Sequence, residues 1–291
     1  MAIGNPIRNP IEWGWDHLRS ANLTAGRAAR ALRRPETARA APRPAVRRIA
    51  ASDLRDVLAK GLADFGAYRT DVLFLCLIYP AAGVVLARLV AGYDMLPLLF
   101  PLASGFALIG PVAAVGLYEM SRRREQGRTV TWADAFGVVR SPAFPAIVAL
   151  GLLLLAIFLL WLVAAYAIYA ATLGPEPPIS IGAFLRDVFT TRAGWTMIGV
   201  GVGVGFLFAL LVLSISVVSF PLLLDRNVGL VTAVRTSVRA VVENPGPMAL
   251  WGLIVAGGLV IGMAPALLGL IVVMPVLGHA TWHLYRKVVA P

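Results

Sequence analysis

Residues 141–175, SPAFPAIVALGLLLLAIFLLWLVAAYAIYAATLGP, contain no formal charge, and Arg140 and Glu176 close the stretch on either side. A transmembrane helix needs about 20 apolar residues, because each residue rises about 1.5 Å and the hydrocarbon core is about 30 Å thick. The whole chain is 59% hydrophobic and 14% charged, whereas an ordinary soluble domain is about 25% charged. The stretch therefore predicts a membrane span, and the composition predicts a polytopic membrane protein.

The same test, applied outward from this stretch, predicts six spans. The other weakly charged runs are Asp71–Asp94, interrupted only by Arg88, then Asp94–Glu119, Arg192–Asp225 and Glu243–Arg286. The last run is too long for one crossing, and Gly262-Met263-Ala264-Pro265 is typical of a turn that divides it into two spans. The predicted fold is all-α, with residues 51–291 forming a six-transmembrane-helix bundle.

Residues 1–50 are predicted to form a separate, largely disordered cytoplasmic tail. Eight arginines and one acid, Glu36, stand between Arg27 and Arg48 among alanines and prolines. Basic loops are retained on the cytoplasmic side, and an even number of spans places 23 of the 26 Lys and Arg residues on one side. We therefore expect both termini to lie in the cytoplasm.

Amphipathic helical segments are predicted before the odd-numbered spans. Their apolar positions are Leu54, Val57, Leu58, Leu62 and Phe65; Trp132, Ala135, Phe136 and Val139; and Val231, Val234, Val238, Val241 and Val242. Thr131 and Asp134 have the spacing of a capping box, and Pro111, Pro221 and Pro275 fall late in the even-numbered spans. We interpret this as a pseudo-threefold repeat of one interfacial helix and two spans; coincidence among proline-rich spans is the alternative.

Aromatic residues and small residues support further predictions about the spans. Membrane-interface belts are predicted from Trp195, Tyr166 and Tyr169 at one face, and from Trp282, Tyr285 and Tyr118 at the other. Residues 182–189 predict a short helix in the loop before span four. Gly199, Gly201, Gly203 and Gly205 form two overlapping GxxxG pairs, which favour close helix packing over ligand binding.

His279 and His283 are the candidate metal ligands, because their i, i+4 spacing places them on one side of span six. A haem is a second candidate ligand for this pair. No acid accompanies them in sequence, HExxH is absent, and two ligands leave a metal site incomplete unless the chain oligomerises. Interfacial histidines bonded to backbone or headgroups are the favoured alternative, so no cofactor is expected. No catalytic residue is predicted.

Lipid is the partner that the charge pattern favours. Each arginine close to a cytoplasmic leaflet contributes about 1 kcal/mol of attraction to anionic lipid headgroups. Nucleic acid is not expected, because no aromatic residue for stacking stands between Arg27 and Arg48. A short aromatic helix predicted near Trp13 and Trp15 would dock on the membrane or on a membrane-protein partner.

Four stretches of the chain resemble a family of bacterial integral membrane proteins, domain of unknown function family 2189. They are FGAYRTDVLFLCLIYP (65–80), PLASGFALIGPVAAVGLYEMSRRRE (101–125), WADAFGVVRSP (132–142) and MPVLGHATWHLYRK (274–287). The resemblance covers roughly residues 50 to 288. It implies a six-span membrane fold and transfers no catalytic residue.

Three functions follow as hypotheses. The leading one is a non-enzymatic assembly, scaffold or membrane-organising factor, because interfacial surface is abundant and ionisable groups are absent from the predicted span centres. The alternatives are a transporter or channel for an apolar or uncharged solute, with Ser214, Ser216 and Ser219 along span four, and a haem- or metal-binding protein using His279 and His283. An enzyme of the haem–copper oxidase class is excluded, because its core needs six histidines inside the membrane.

Overall fold

The computed structural model describes residues 44–76, 95–226, 228–265 and 267–290, together with residues 81, 83, 84 and 88. Residues 1–43 of the predicted tail and most of the first predicted span lie outside this description. Within it, regular structure is helical apart from an isolated antiparallel bridge between Val46 and Val289, so the predicted all-α class is confirmed. Residues 44–50 belong to the same compact unit as the helices.

The described helices run in sequence along the chain, with two 3-10 helices between them. Their bounds are α1 Asp53–Cys76, 3-10 Leu96–Leu98, α2 Leu99–Ala113, α3 Val115–Glu125, 3-10 Trp132–Arg140, α4 Phe144–Thr172, α5 Ile181–Thr190, α6 Arg192–Ser216, α7 Ser219–Asp225, α8 Leu230–Glu243, α9 Pro245–Met263 and α10 Leu270–Val288.

Four helical stretches in the described part of the chain are long and apolar enough to cross a membrane. They are Leu96–Glu125, Phe144–Thr172, Arg192–Asp225 and Pro245–Met263. These coincide with the second to fifth predicted spans. The sixth predicted span is α10, whose 19 residues include two histidines and two basic residues, which lower its hydropathy. The structure thus shows four membrane-capable helices, and six spans remain a prediction.

Helix α4 shows why such a helix needs lipid as a neighbour. One face packs inside the protein through residues at helical spacing, including Leu150, Leu154 and Trp161. The opposite face exposes large aliphatic side chains such as Leu160, at 60%, and Val163, at 64%. A helix that is apolar on all sides and only partly covered by protein is typical of a membrane span.

The spans that contain Pro111 and Pro221 are each interrupted close to the proline. Helix α2 contains Pro111 and ends at Ala113, one residue before α3 begins. Helix α6 ends at Ser216, and α7, with Pro221, begins at Ser219. A proline lacks an N–H and clashes with the preceding turn, which accounts for the break just before Pro221; the break at Ala114 instead follows its proline. Helix α10 continues through Pro275, so the predicted repeat is not reproduced in full and remains a prediction.

Local structure confirms several of the predicted helix boundaries. The capping box between Thr131 and Asp134 is present, and the 3-10 helix that follows it ends at Arg140. Helix α5 includes the predicted residues 182–189, and its N-cap Ser180 accepts a hydrogen bond from Ala183 N at 3.1 Å. Helix α9 ends at Met263, as expected from the turn sequence that begins there.

Two predictions about packing in the spans are wrong. Trp282, Tyr285 and Tyr118 do not form a lipid-facing belt, because all three are at most 2% exposed inside the protein. A Cβ added to Gly199, Gly201 or Gly203 would meet no atom within 4 Å, so these glycines do not pack closely against another described helix. Only Gly205 of the four approaches a neighbour, the ring of Trp161.

Candidate functional site

A close crossing of α1 and α10 creates a polar site that is buried inside the protein. A Cβ on Gly61 would lie 2.7 Å from the Cβ and backbone N of Ala280, distances that real Cβ atoms do not adopt. Because Gly61 has no side chain, the backbone of α1 can lie directly against Ala280 of α10. Asp64 lies one turn after Gly61, and His279 and His283 lie beside and one turn after Ala280.

Asp64 is the centre of this site and is only 5% exposed. Its Oδ2 accepts a hydrogen bond from Ser121 Oγ at 2.6 Å and lies 2.9 Å from His283 Nε2. Its Oδ1 accepts a hydrogen bond from Arg124 Nη1 at 2.8 Å. An ionised carboxylate only accepts hydrogen bonds, so His283 must donate from Nε2. Three donors from two other helices thus satisfy one buried carboxylate.

Ser121 connects Asp64 to His279 through hydrogen bonds. The Ser121 hydroxyl is 1% exposed, and its oxygen lies 2.8 Å from His279 Nδ1. A hydroxyl has one hydrogen, which Ser121 gives to Asp64, so His279 must donate from Nδ1 to the Ser121 oxygen. The Nε2 atom of a neutral His279 then carries a lone pair. That atom is buried and has no hydrogen-bond partner among the described residues.

Electrostatics at Asp64 are decided by competition between burial and hydrogen bonding. Burial alone disfavours the charged carboxylate, but the hydrogen bonds with His283 and Ser121 outweigh it and hold the pKa of Asp64 below its usual value. Asp64 is therefore ionised at neutral pH. The resulting chain of hydrogen bonds runs from His283, whose side chain is 16% exposed, through Asp64 and Ser121 to the fully buried His279.

The arrangement can hold a proton and pass it along hydrogen bonds, since each link joins a donor to an acceptor. It differs from the predicted metal pair, because His283 Nε2 and His279 Nδ1 both already take part in hydrogen bonds. No group of three or more His, Cys, Asp or Glu residues in the described part of the chain has an arrangement suited to a metal ion. The metal role of His279 and His283 stays a prediction.

Ion pairs surround this site and connect the ends of several helices. Lys287 lies 3.2 Å from Asp53 and 3.1 Å from Asp56, which joins the end of α10 to the start of α1. The hydrogen bond with Lys287 lowers the pKa of Asp56. The remaining contacts involve Arg286 with Glu125 at 3.0 Å, Trp282 Nε1 with Glu125 at 3.0 Å, and Tyr285 OH with Asp225 at 2.6 Å. We call this end of the molecule, which carries the site and these ion pairs, the charged end.

Asn244 attaches residues 47–49 to the same end. Its Oδ1 accepts a hydrogen bond from Ile49 N at 2.7 Å, and its Nδ2 donates to Arg47 O at 3.1 Å. Asn244 is 3% exposed and follows the last residue of α8. Arg47 N also donates to Val288 O at 2.7 Å. The segment before α1 is therefore held by the ends of α8 and α10.

Sequence reasoning found both histidines but missed Asp64 and Ser121. It placed Leu62 on the apolar face of the predicted interfacial helix, and Leu62 is 58% exposed in the structure. The face that is buried contains Leu54, Val57, Gly61 and Asp64. That i, i+3, i+7, i+10 spacing was present in the sequence, but it includes a glycine and an acid, which an apolar pattern does not select.

An apolar cavity of about 160 Å³ lies between α2, α6, α9 and α10. Its lining includes Trp251, Leu259 and Met274, and the only hydroxyl groups come from Tyr118, Ser216 and Thr281. The Ser216 and Thr281 hydroxyls donate to backbone carbonyls of their own helices, at 2.6 and 2.7 Å. Ser214, Ser216 and Ser219, the serines named for a transport function, each donate a hydrogen bond to the backbone carbonyl four residues earlier.

Comparison with known proteins confirms the family resemblance over the stretches at 101–125 and 132–142, whereas those at 65–80 and 274–287 lie outside the matched region. The model of a family described as predicted integral membrane protein (DUF2189) matches residues 99–225. The match includes α2, α3, α4 and α6, and therefore three of the four membrane-capable helices. No curated protein and no solved structure matches the chain. The chain is thus similar to integral membrane proteins of unknown function, and nothing in these comparisons points to a specific activity.

Proposed function

We propose that the protein is a non-enzymatic membrane-organising or assembly factor of the bacterial inner membrane. Its charged end lies on the cytoplasmic side and presents a fixed surface to lipids or to a membrane-protein partner. The excess of basic residues predicted on that side supports the orientation.

The observation that carries this proposal is the joining of distant segments at the charged end. Asn244, Lys287 and Arg286 connect residues 47–56, 125 and 225 to the ends of α8 and α10. Exposed ion pairs contribute little stability one at a time, with a median of about 0–1 kcal/mol. Several such contacts around a buried, fully hydrogen-bonded carboxylate instead hold the helix ends in one arrangement. A fixed arrangement of this kind suits recognition of another surface.

Apolar side chains next to these charges support contact with a membrane surface. On α8, Val231 is 58% exposed and Val242 is 71% exposed, while the opposite face, with Ala233 and Ala240, is buried. Phe136, in the 3-10 helix, is 57% exposed. A helix that exposes both aliphatic and basic residues is typical of the boundary between headgroups and acyl chains.

Purification in mild detergent, followed by mass spectrometry of copurifying proteins and lipids, tests this proposal. The informative variant is Val231→Ser with Val242→Ser, which changes the exposed face of α8 and leaves its buried face intact. The matched control is Ile179→Ser, because Ile179 is fully exposed in a loop far along the chain from this end. We expect the α8 variant to lose a specific partner or lipid that the control retains. Defined substrate turnover by the pure protein would refute the proposal.

A second function, binding or transport of an apolar solute, is favoured by the cavity between the spans. Ala209 of α6 and Ala256 of α9 line it and are themselves exposed, so the cavity reaches the surface of the protein between these helices. A cavity of about 150 Å³ with apolar walls accepts a benzene-sized molecule. An apolar chain entering from the bilayer is the ligand chemistry that such walls suit.

Filling the cavity separates this second function from the first. Ala256→Leu adds three carbons at the cavity, whereas Val260→Phe adds a comparable bulk one turn later, at a 64% exposed side chain that does not line the cavity. Solute uptake into proteoliposomes, or retention of a hydrocarbon chain in native mass spectrometry, should fall only with Ala256→Leu. Equal behaviour of the two variants would reject the cavity as a solute site.

A further inference from the structure

A second, polar pocket of about 310 Å³ opens at the charged end, between α3, the 3-10 helix at residues 132–140 and α7. This volume is at the lower limit of small-molecule sites, which are about 300–1,000 Å³. Its charged lining residues are Arg122, Arg123, Arg140, Arg226, Glu119 and Asp225. Four guanidinium groups and two carboxylates leave the lining with an excess of positive charge.

A buried carboxylate holds two of these arginines in place. Glu119 is 3% exposed, and it accepts hydrogen bonds from Arg122 Nε at 2.8 Å and from Arg123 Nε at 2.6 Å. Arg122 Nη2 makes a further hydrogen bond to Glu119 at 3.2 Å. Because these side chains are already ordered, binding an anion with their remaining N–H groups costs less conformational entropy. Glu119 therefore orients the arginines as well as neutralising part of their charge.

Arg140 supplies a guanidinium that is free to bind a ligand. It is exposed, and it makes no hydrogen bond or ion pair with the residues that the structure describes. Arginine suits phosphate in particular, because its planar fork can donate two parallel hydrogen bonds to two oxygens.

The second carboxylate in the lining, Asp225, also already has hydrogen-bond and ion-pair partners. It accepts a hydrogen bond from Tyr285 OH at 2.6 Å, and it lies 3.5 Å from Arg286 Nη1 and 3.8 Å from Arg226 Nε. Apolar side chains form the rest of the wall, among them Val138 and Leu223. A lining that combines arginines with aliphatic groups matches a phosphate that carries a hydrocarbon-bearing substituent.

We propose that this pocket binds the phosphate group of an anionic phospholipid, with Arg140 and Arg122 as the main donors. The inference deepens the proposed function, because it assigns a lipid ligand to the charged end. It also stands on its own geometry, since the pocket lies where the ends of the membrane-capable stretches Leu96–Glu125 and Arg192–Asp225 meet the start of α4. A soluble phosphate ester shares the recognition chemistry, and the experiment distinguishes the two sources.

Lipid titration of the full-length protein in nanodiscs tests the proposal. Phosphatidylglycerol is titrated into phosphatidylcholine discs, and bound lipid is counted by native mass spectrometry. We expect Arg140→Gln to weaken phosphatidylglycerol binding about tenfold and Arg122→Gln to act in the same direction. Arg140→Lys should show an intermediate loss, because it keeps the charge without the fork. The control is Arg128→Gln, an exposed arginine at the same end that does not line the pocket.

Competition with inorganic phosphate then identifies the source of the ligand. Lipid binding that millimolar phosphate leaves unchanged supports the phospholipid, whereas displacement of the lipid supports a soluble phosphate site in the same pocket. Equal losses of phosphatidylglycerol binding for Arg128→Gln and Arg140→Gln, or no loss for either, would overturn the proposal that the pocket binds lipid phosphate. If the pocket binds lipid but the α8 variant loses no specific partner or lipid, the proposed function is refuted and the lipid site in the pocket stands.

Discussion

Asp64 and His283 are separated by 219 positions in the chain, yet Asp64 Oδ2 lies 2.9 Å from His283 Nε2. The distance depends on how closely α1 and α10 approach each other at Gly61 and Ala280. A buried carboxylate that meets a histidine, a serine and an arginine from two other helices links the packing of the helices to the chemistry of the site.

The close approach at Gly61 should be necessary for that geometry. Gly61→Ala places a methyl group 2.7 Å from Ala280, so we expect the variant to be destabilised by about 1–3 kcal/mol. Gly66→Ala is the matched control, because a Cβ at Gly66 meets nothing within 4 Å and alanine favours the helix. Thermal unfolding in detergent measures both. Equal melting temperatures for the two variants would contradict the packing described for α1 and α10.

The stabilising effect of Asp64 should depend on pH. Because the folded-state pKa of Asp64 lies below its usual value, its ionised form stabilises the protein above about pH 4, the unfolded-state pKa. This stability is lost as the pH falls through the lower folded-state pKa. Asp64→Asn should therefore lower the melting temperature at pH 7, and the difference from the wild type should shrink below about pH 4.

A comparison with another carboxylate makes this pH test specific. Asp187→Asn changes a half-exposed side chain in the loop helix α5 and should leave the melting temperature nearly unchanged at both pH values. A difference between wild type and Asp64→Asn that stays constant from pH 7 to pH 3 would show that the ionised carboxylate is not the stabilising form.

His279 should be protonated on Nδ1 and not on Nε2. The chain has three histidines, so ¹⁵N NMR of histidine-labelled protein in bilayers can assign them with single substitutions. We expect one neutral ring with a protonated Nδ1, and we expect Ser121→Ala to change its spectrum, because the Ser121 oxygen accepts that proton. Finding the proton on Nε2 would reverse the direction of the hydrogen bonds between His279 and Asp64.

Asn244 should control the order of the segment before α1. Asn244→Ala leaves Ile49 N–H without its acceptor, which should cost about 1–3 kcal/mol and increase hydrogen exchange at Ile49. Asn244→Asp keeps an acceptor oxygen for Ile49 but removes the donor to Arg47 O, so its exchange rate should be intermediate. Unchanged exchange at Ile49 in Asn244→Ala would show that Val288 and its neighbours hold the segment without Asn244.

Hydropathy and helix signals were readable in the chain itself. The apolar run of α4, the capping box at Thr131, the loop helix α5 and the turn after Met263 all follow from local composition or from contacts three or four residues apart. The prediction of a lipid-facing belt at Trp282 and Tyr285 was wrong because a tryptophan or tyrosine near a helix end has the same sequence signature in two environments, the membrane interface and the protein interior. Trp282 and Tyr285 take the buried one, where Glu125 and Asp225 accept their hydrogen bonds.

The candidate site shows more clearly the difference between what local sequence patterns predict and what tertiary packing decides. The i, i+4 spacing identified His279 and His283 as neighbours, because residues so spaced share a helix face. The spacing did not identify Asp64 or Ser121, since these residues lie on other helices and resemble ordinary solvent-facing polar residues. Nor did it show that Glu119 holds Arg122 and Arg123 beside Arg140, because that pocket is formed by segments up to about a hundred positions apart.

By itself, then, the sequence determined that the chain is an all-helical membrane protein and where its most apolar helices begin and end, because apolar runs and helix caps act over one or two turns. Tertiary structure alone decided which helix faces meet, and therefore which polar residues are buried together. Helix packing depends on the fit of surfaces far apart in sequence, and the missing Cβ at Gly61 allows the close approach that brings Asp64 to His283.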